Sequence, residues 1–217
     1  MQFINIKNEK IIIYIFFLAI FLLGINIYSD YGLTLDDEIY WKNAEFYFEY
    51  IKLIFLGNNS ETLSKNIGDL SKELSSEINP FAAPVPFELP LVFITKILNI
   101  NNTKEIYELR HLFNFIIFFI ALVFFFRFIN KKFNLNFYSL LSIVIFFFSP
   151  RIFAESFYNS RDIFYLSLFI FFLYAANNFI LEQNIKTSIY FSITSAFLIY
   201  AKVIGIVPVV LFIFFYY

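Results

Sequence analysis

The sequence predicts an all-α protein, a polytopic transmembrane helical bundle with amphipathic helices in a long first outer loop. Three observations lead to this fold class. Of the 217 residues, 60% are hydrophobic and only 15% are charged, whereas soluble domains are typically about 45–50% apolar and about 25% charged. Several apolar runs approach the roughly 20 residues that a spanning helix needs. Short basic segments recur at alternate ends of these runs, as the positive-inside rule requires.

The apolar runs define six predicted spans. The first run follows Lys7 and Lys10 and resembles a signal peptide, but no small-residue cleavage site follows it, so we predict a retained anchor. The last run ends at Tyr217 without a flanking charge or tail, so we expect this chain to be the amino-terminal part of a longer transmembrane domain. The predicted spans are residues 11–28, 112–129, 137–149, 163–181, 188–201 and 203–217.

The short basic segments predict the orientation in the membrane. Placing them in the cytoplasm puts residues 29–109, Ser149–Asp162 and Lys202 on the outer side. We therefore predict a multi-pass protein of the cell (inner) membrane, with a cytoplasmic N-terminus and its chemically interesting residues on the periplasmic face. The basic residues that define the cytoplasmic side are Lys7, Lys10, Arg127, Lys131, Lys132 and Lys186.

The predicted outer loop, residues 29–109, holds 13 acidic residues and six lysines. Apolar residues at helical spacing predict an amphipathic helix over 36–55, which could lie on the membrane surface. A second, narrower apolar stripe runs over 61–78. Four prolines are then predicted to break regular structure, before an apolar segment of about ten residues that ends near Ile100 and suits a re-entrant or interfacial position. The first stripe consists of Tyr40, Ala44, Tyr47, Ile51 and Ile54, and the prolines are Pro80, Pro84, Pro86 and Pro90.

Three adjacent carboxylates, Asp36, Asp37 and Glu38, begin the predicted amphipathic helix just outside the first span. Acidic side chains favour helix N-termini, so Asp36 or Asp37 could simply cap the helix. Alternatively, one of the three is a general base that activates an acceptor at the membrane surface. A neighbouring carboxylate and apolar surroundings would raise the pKa of such a base toward a useful value.

A second polar cluster lies between two predicted spans, in a half of the chain where charge is scarce. Two arginines and two acids, Arg151, Glu155, Arg161 and Asp162, fall within twelve residues. Arg151 and Glu155 are four residues apart and can pair on one helical face. The cluster could be a polar loop with paired ions, or the arginines could bind phosphate while the acids orient them.

Lys202 lies between two apolar runs. An ammonium in this position is costly unless it reaches water or an anion, so such residues are functional candidates. Lys202 could equally be a lysine in a tight outer turn that snorkels to the interface.

Composition leaves several classes of function without support. A net charge of −1 gives no electrostatic case for nucleic-acid binding. The chain has no cysteine and one histidine, and no metal-ligand spacing, so the residues predict no metal site. There is also no phosphate-binding glycine loop and no nucleophile elbow.

The two outer motifs resemble those of the GT-C glycosyltransferases, specifically the protein O-mannosyltransferase-like group that includes the aminoarabinose transferases of lipid A. Tyr31–Glu38 is similar to the group's first outer motif, which contains an Asp-Glu pair. Ser149–Asp162 is similar to its Ser-Pro-Arg-(aromatic)-x-x-x-Ser-(aromatic)-x-Asn-x-(basic)-Asp motif, with Ile152 where an aromatic residue is common. Lys202 falls where the family often has Arg or Lys near the donor phosphate. The resemblance covers most of the chain.

The resemblance implies that a sugar moves from a polyprenyl-phosphate donor to a lipid or protein acceptor on the outer face of the membrane. It implies that Asp37 is the general base and Glu38 its neighbour, although the additional Asp36 leaves Asp36 as an alternative base. A divalent metal is left open as a cofactor, and the implied partners are the donor, the acceptor and membrane lipid. The implied donor-phosphate residues are Arg151, Arg161 and Lys202, supported by Asp162 and Glu155.

Two other functions remain open on the sequence. A transporter or flippase would place charges near the bilayer midplane and break its spans with Gly or Pro, whereas this chain concentrates charge on the predicted outer face. A non-catalytic membrane scaffold could use the acidic loop to bind a partner, and it would tolerate changes at Asp37 and Arg151.

Overall fold

The computed structural model describes residues 6–34, 36–56, 65, 68 and 85–216. Over these residues the regular structure is helical, which confirms the predicted all-α class. Two short 3₁₀ turns, Tyr28–Asp30 and Val203–Gly205, extend or connect the longer helices. The α-helices whose bounds are described are α1 (Ile6–Ile27), α2 (Asp37–Leu56), α3 (Val85–Leu98), α4 (Thr103–Phe133), α5 (Asn136–Phe147), α6 (Pro150–Tyr158), α7 (Ser160–Leu181), α8 (Ile185–Ala201) and α9 (Ile206–Tyr216).

Three of these helices, α1, α4 and α7, are long and apolar enough to cross a membrane. Helices α5 and α6 pass the same test together, but they meet at a 70° bend and so form a broken span or a re-entrant segment. Helices α8 and α9 are apolar but have 17 and 11 residues. At about 1.5 Å per residue each is shorter than the hydrocarbon core of roughly 30 Å. Over the described residues, three of the six predicted spans are therefore helices of membrane-spanning length, or four if the bent pair is one span.

The helices group into two compact units, and the first consists of Met1–Tyr31 and His111–Tyr217. Gly24 lies where α1 meets α4, and a Cβ at this position would overlap the Phe115 ring. Glycine at position 24 therefore permits a close approach of the α1 backbone to the Phe115 ring, which a larger residue would prevent. The buried core around this contact is mostly aromatic and consists of Ile20, Phe115, Phe118, Leu122, Phe126, Ile143, Phe147, Phe157 and Ile163.

Helices α7 and α8 pack along each other and are joined by three residues. Asn184 begins α8 with a capping box: its Oδ1 accepts from the Thr187 amide at 3.0 Å, and the Thr187 hydroxyl accepts from the Asn184 amide at 3.2 Å. Because so short a connection makes the two helices antiparallel, the start of α7 and the end of α8 lie at the same end of the unit. That end carries Asp162 and Lys202.

The second unit is Gly32–Arg110. Helix α2 forms where the amphipathic pattern predicts it, and its buried face packs on α3 through a small core of Ala44, Phe48 and Val92. The Phe48 and Phe93 rings meet edge to face at 4.7 Å. At the far end of the predicted stripe Ile54 is 60% exposed, so the buried face of α2 is centred on its first three turns.

The prediction that prolines break this region is wrong for Pro86 and Pro90, which lie within α3. Pro86 is the second residue of the helix, where its missing N–H has no intrahelical acceptor to lose. Pro90 is exposed, and its missing N–H leaves the Pro86 carbonyl without an intrahelical donor. The predicted stripe over 61–78, together with Pro80 and Pro84, lies outside the described residues.

Candidate functional site

Asp37, the base that the motif predicts, belongs to a buried ion cluster in the second unit. The Arg110 guanidinium contacts Asp37 through Nη2 at 3.0 Å and binds Glu88 through Nη2 at 2.5 Å and Nε at 2.9 Å. None of the three side chains is more than 3% exposed. The bidentate geometry is the strongest that an arginine and a carboxylate can form.

The second oxygen of Asp37 is also engaged. Its Oδ2 accepts from the Thr34 amide at 2.7 Å, while the Asp37 amide donates to the Thr34 carbonyl at 3.3 Å. Asp37 thus folds back on the turn that precedes α2. Both carboxylate oxygens of Asp37 therefore have hydrogen-bond partners inside the protein, which is typical of a carboxylate with a structural role.

The two neighbouring acids are accessible. Asp36 is exposed and accepts one hydrogen bond, from the Tyr40 hydroxyl to Oδ2 at 3.2 Å. The Glu38 side chain is 71% exposed and pairs with Lys42 at 3.0 Å, one helical turn away. Among the three predicted acids, Asp36 and Glu38 are therefore the ones that a substrate could reach.

The motif Ser149–Asp162 forms the bend and the start of a span in the first unit. Pro150 is the first residue of α6, where its fixed φ favours helix and its missing N–H is tolerated. Asn159 ends α6 and caps α7, because its Oδ1 accepts from the Asp162 amide at 3.0 Å. Its Nδ2 also donates to the Asp162 carboxylate at 3.3 Å, so the cap orients this acid directly.

Asn114, on α4, is a residue that the sequence did not single out as functional. It is buried, and its Nδ2 donates to the carbonyls of Ser156 at 3.0 Å and Glu155 at 3.3 Å. These carbonyls belong to the last turn of α6, where helices run out of backbone donors; the Glu155 carbonyl also accepts from the Asn159 amide at 2.9 Å. Asn114 therefore connects α6 to the long helix α4. The sequence signal that could have identified it is an asparagine within an apolar run.

Lys202 forms an ion pair with Asp162 and lies 5.4 Å above the Tyr165 ring. It ends α8 in an extended conformation, and its carbonyl accepts from the Gly205 amide at 2.8 Å. A Cβ at Gly205 would overlap the Leu198 carbonyl, so this turn requires glycine. The Lys202 side chain is 25% exposed, so its ammonium group is accessible to a ligand.

Both arginines of the motif are exposed. Arg151 pairs with Glu155 at 2.8 Å and keeps 81% of its side chain exposed. Arg161 is exposed and is adjacent to Asp162 in the chain. The structure thus brings together Arg151, Glu155, Arg161, Asp162 and Lys202 in the first unit.

The predicted acids Asp36, Asp37 and Glu38 belong to the second unit. Within the described residues, no group of three or more His, Cys, Asp or Glu side chains could hold a metal ion. The carboxylates of Asp37 and Glu88 are already paired with Arg110.

No family model, curated protein or solved structure matches this chain. The functional interpretation therefore depends on the geometry of these residues and on the motifs.

Proposed function

We propose that this chain is part of a glycosyltransferase that moves a sugar from a polyprenyl-phosphate donor to a lipid or protein acceptor at the outer face of the membrane. The observation that carries the proposal is a cationic cluster in the first unit, in which Arg151 pairs with Glu155, Lys202 pairs with Asp162, and the exposed Arg161 is adjacent to Asp162 in the chain. The resemblance of Ser149–Asp162 to the GT-C motif supports the same function.

The cluster has the charge that this reaction needs. As the bond between the sugar C1 and the donor phosphate oxygen breaks, the polyprenyl phosphate leaves with an additional negative charge. Cations placed in advance at that oxygen stabilise the transition state more than the bound donor. Asp162 and Glu155 keep two of the cations oriented, through the contacts to Lys202 and Arg151.

For acceptor activation the geometry favours Asp36 over Asp37. A general base must reach the acceptor hydroxyl to take its proton. The Asp37 carboxylate is 3% exposed and has both oxygens bonded. Asp36 is exposed and has one oxygen without a hydrogen bond to a described residue. We therefore assign the proton transfer to Asp36 and the support of the turn to Asp37.

The test is sugar transfer in membranes that contain this protein, supplied with a radiolabelled polyprenyl-phosphate sugar. Asp36→Asn should lower transfer by about 100-fold or more, the usual contribution of a general base. Lys202→Gln should lower it through weaker donor binding. Glu45→Gln, on the helix that follows Asp36 and in an exposed pair with Lys96, is the matched control and should transfer normally. Unchanged transfer by the double variant Asp36→Asn/Asp37→Asn would contradict the assignment of the base.

One observation favours a second candidate, a transporter or flippase for the same lipid-linked anion. The 70° break between α5 and α6 is the kind of interrupted span on which transporters build midplane sites. In that case the labelled lipid would cross sealed vesicles without transfer of its sugar. Loss of crossing in Lys202→Gln, with no product in wild type, would favour the transporter.

A further inference from the structure

A second site lies at the opposite end of the first unit from Asp162. A cavity of about 650 Å³ opens between α4, α7 and α8. It reaches Glu182, which follows α7, whereas Asp162 lies in the first turn of that helix. Twenty residues of helix separate the two acids by about 30 Å, so this cavity is distinct from the cationic cluster described above.

The cavity changes in character along its length. At one end it is lined by Ile120, Phe124, Phe171 and Ala175, which come from the middle of α4 and α7. Its mouth is polar and lies where α7 ends and α8 begins. The mouth residues are Lys131, Asn178, Glu182, Asn184, Lys186 and Thr187.

The two lysines at the mouth lack an acidic partner among the described residues. Lys131 donates to the Asn178 side-chain oxygen at 2.7 Å and lies 5.6 Å above the Tyr174 ring, and both of these partners are neutral. Lys186 is exposed in the first turn of α8, without an ion pair to a described residue. With Glu182 as the one acid in the lining, the mouth carries a net positive charge.

We propose that this cavity binds an anionic glycerophospholipid. An apolar groove with a cationic mouth at the end of a span complements one acyl chain below a phosphate headgroup, and basic pockets between spans are typical sites for anionic lipid heads. Lys131 and Lys186 contact the phosphate, and the acyl chain lies along Ile120, Phe124 and Phe171. The positive-inside rule assigns this end to the cytoplasmic leaflet.

The test compares phosphatidylglycerol with phosphatidylcholine by native mass spectrometry of the detergent-purified protein. Wild type should retain phosphatidylglycerol preferentially. Because each lysine near an anionic headgroup changes affinity by about 5-fold, Lys131→Gln/Lys186→Gln should lose about 25-fold of that preference. The matched control is Lys132→Gln, since Lys132 is exposed on the same helix but does not line the cavity.

A second measurement locates the lipid. Tyr190 lines the cavity and is 65% exposed, so Tyr190→Trp in a Trp41→Phe background provides a single tryptophan there, whose fluorescence can be excited selectively over that of tyrosine. Brominated phosphatidylglycerol in mixed micelles should quench it more than brominated phosphatidylcholine, and excess inorganic phosphate should not reverse the quenching. Equal quenching by both lipids, reversal by phosphate alone, or an unchanged preference in Lys131→Gln/Lys186→Gln would overturn the proposal, as would a second copy of the chain covering the cavity.

Discussion

Arg110 joins two carboxylates in the interior of the second unit. Asp37, Glu88 and Arg110 together carry one net negative charge when ionised, and each is nearly inaccessible to water. Buried charges are costly, and attraction within the cluster offsets that cost only while every partner is present. The cluster links the start of α2, the first turn of α3 and α4 within this unit.

Removing the guanidinium should therefore destabilise the unit strongly. We expect Arg110→Met to lower the free energy of unfolding by about 3–5 kcal/mol, because two carboxylates lose the cation that pairs with them. Detergent titration followed by circular dichroism measures this change. Lys96→Met, which removes the exposed partner of Glu45, is the control and should cost at most about 1 kcal/mol. Equal losses in the two variants would contradict this account of the cluster.

Of this cluster the sequence singles out Asp37, but neither Glu88 nor Arg110. Three adjacent carboxylates at a helix start are visible by inspection, whereas Arg110 lies 73 residues from Asp37 and 22 from Glu88. Nothing in local periodicity connects positions that far apart. The burial of Asp37 and the exposure of Asp36 follow from that long-range ion pair, so the sequence left the two as alternative bases.

At the scale of elements, the junction between α6 and α7 depends on Asn159. Replacing it with alanine removes the cap of α7 and the hydrogen bond that orients Asp162. We expect Asn159→Ala to cost about 1 kcal/mol and to speed hydrogen exchange of the amides at 161–163. Asn184→Ala removes the cap of α8 at the other end and should cost a similar amount. Reduced sugar transfer in Asn159→Ala but not in Asn184→Ala would show that the cap also orients the cationic cluster.

The contact between α1 and α4 depends on Gly24. A methyl group there would overlap the Phe115 ring, which is buried in the aromatic core, and overpacking of this kind typically costs about 1–3 kcal/mol. We expect Gly24→Ala to lower unfolding free energy by that amount, and Gly24→Ala/Phe115→Leu to recover part of it. Gly32→Ala is the control, since a Cβ at Gly32 meets no atom within 4 Å. A neutral Gly24→Ala would contradict the close packing.

Element types were predictable here to a greater extent than element ends. Apolar runs of membrane length predicted α1, α4 and α7, and the 3.6-residue stripe predicted α2, since both signals are local. The run over 137–149 gave no sign that a second helix, α6, continues it at a 70° angle. Likewise Pro90 predicted a break in regular structure, but it lies inside α3. Its position on the exposed face of that helix depends on tertiary packing, which local sequence does not reveal.

For the whole molecule, the positive-inside rule and the proposed function predict the same orientation in the membrane. The rule assigns the cluster of Arg151, Arg161 and Lys202 to the outer side, and a transferase that uses an outward-facing lipid-linked sugar needs its phosphate-binding groups there. The same assignment places the mouth of the lipid-binding cavity, with Lys131 and Lys186, at the cytoplasmic leaflet. A single measurement of orientation therefore bears on both sites.

The chain contains no cysteine, so single-cysteine variants can be labelled without background. Arg151→Cys replaces a side chain that is 81% exposed, and Lys132→Cys and Lys186→Cys replace exposed residues near the other end of the first unit. In spheroplasts, a membrane-impermeant maleimide should label Arg151→Cys at once and the two lysine variants only after permeabilisation. The reverse pattern would place the cationic cluster in the cytoplasm. It would contradict transfer on the outer face and move the predicted lipid site to the outer leaflet, where the cationic mouth would face fewer anionic lipids.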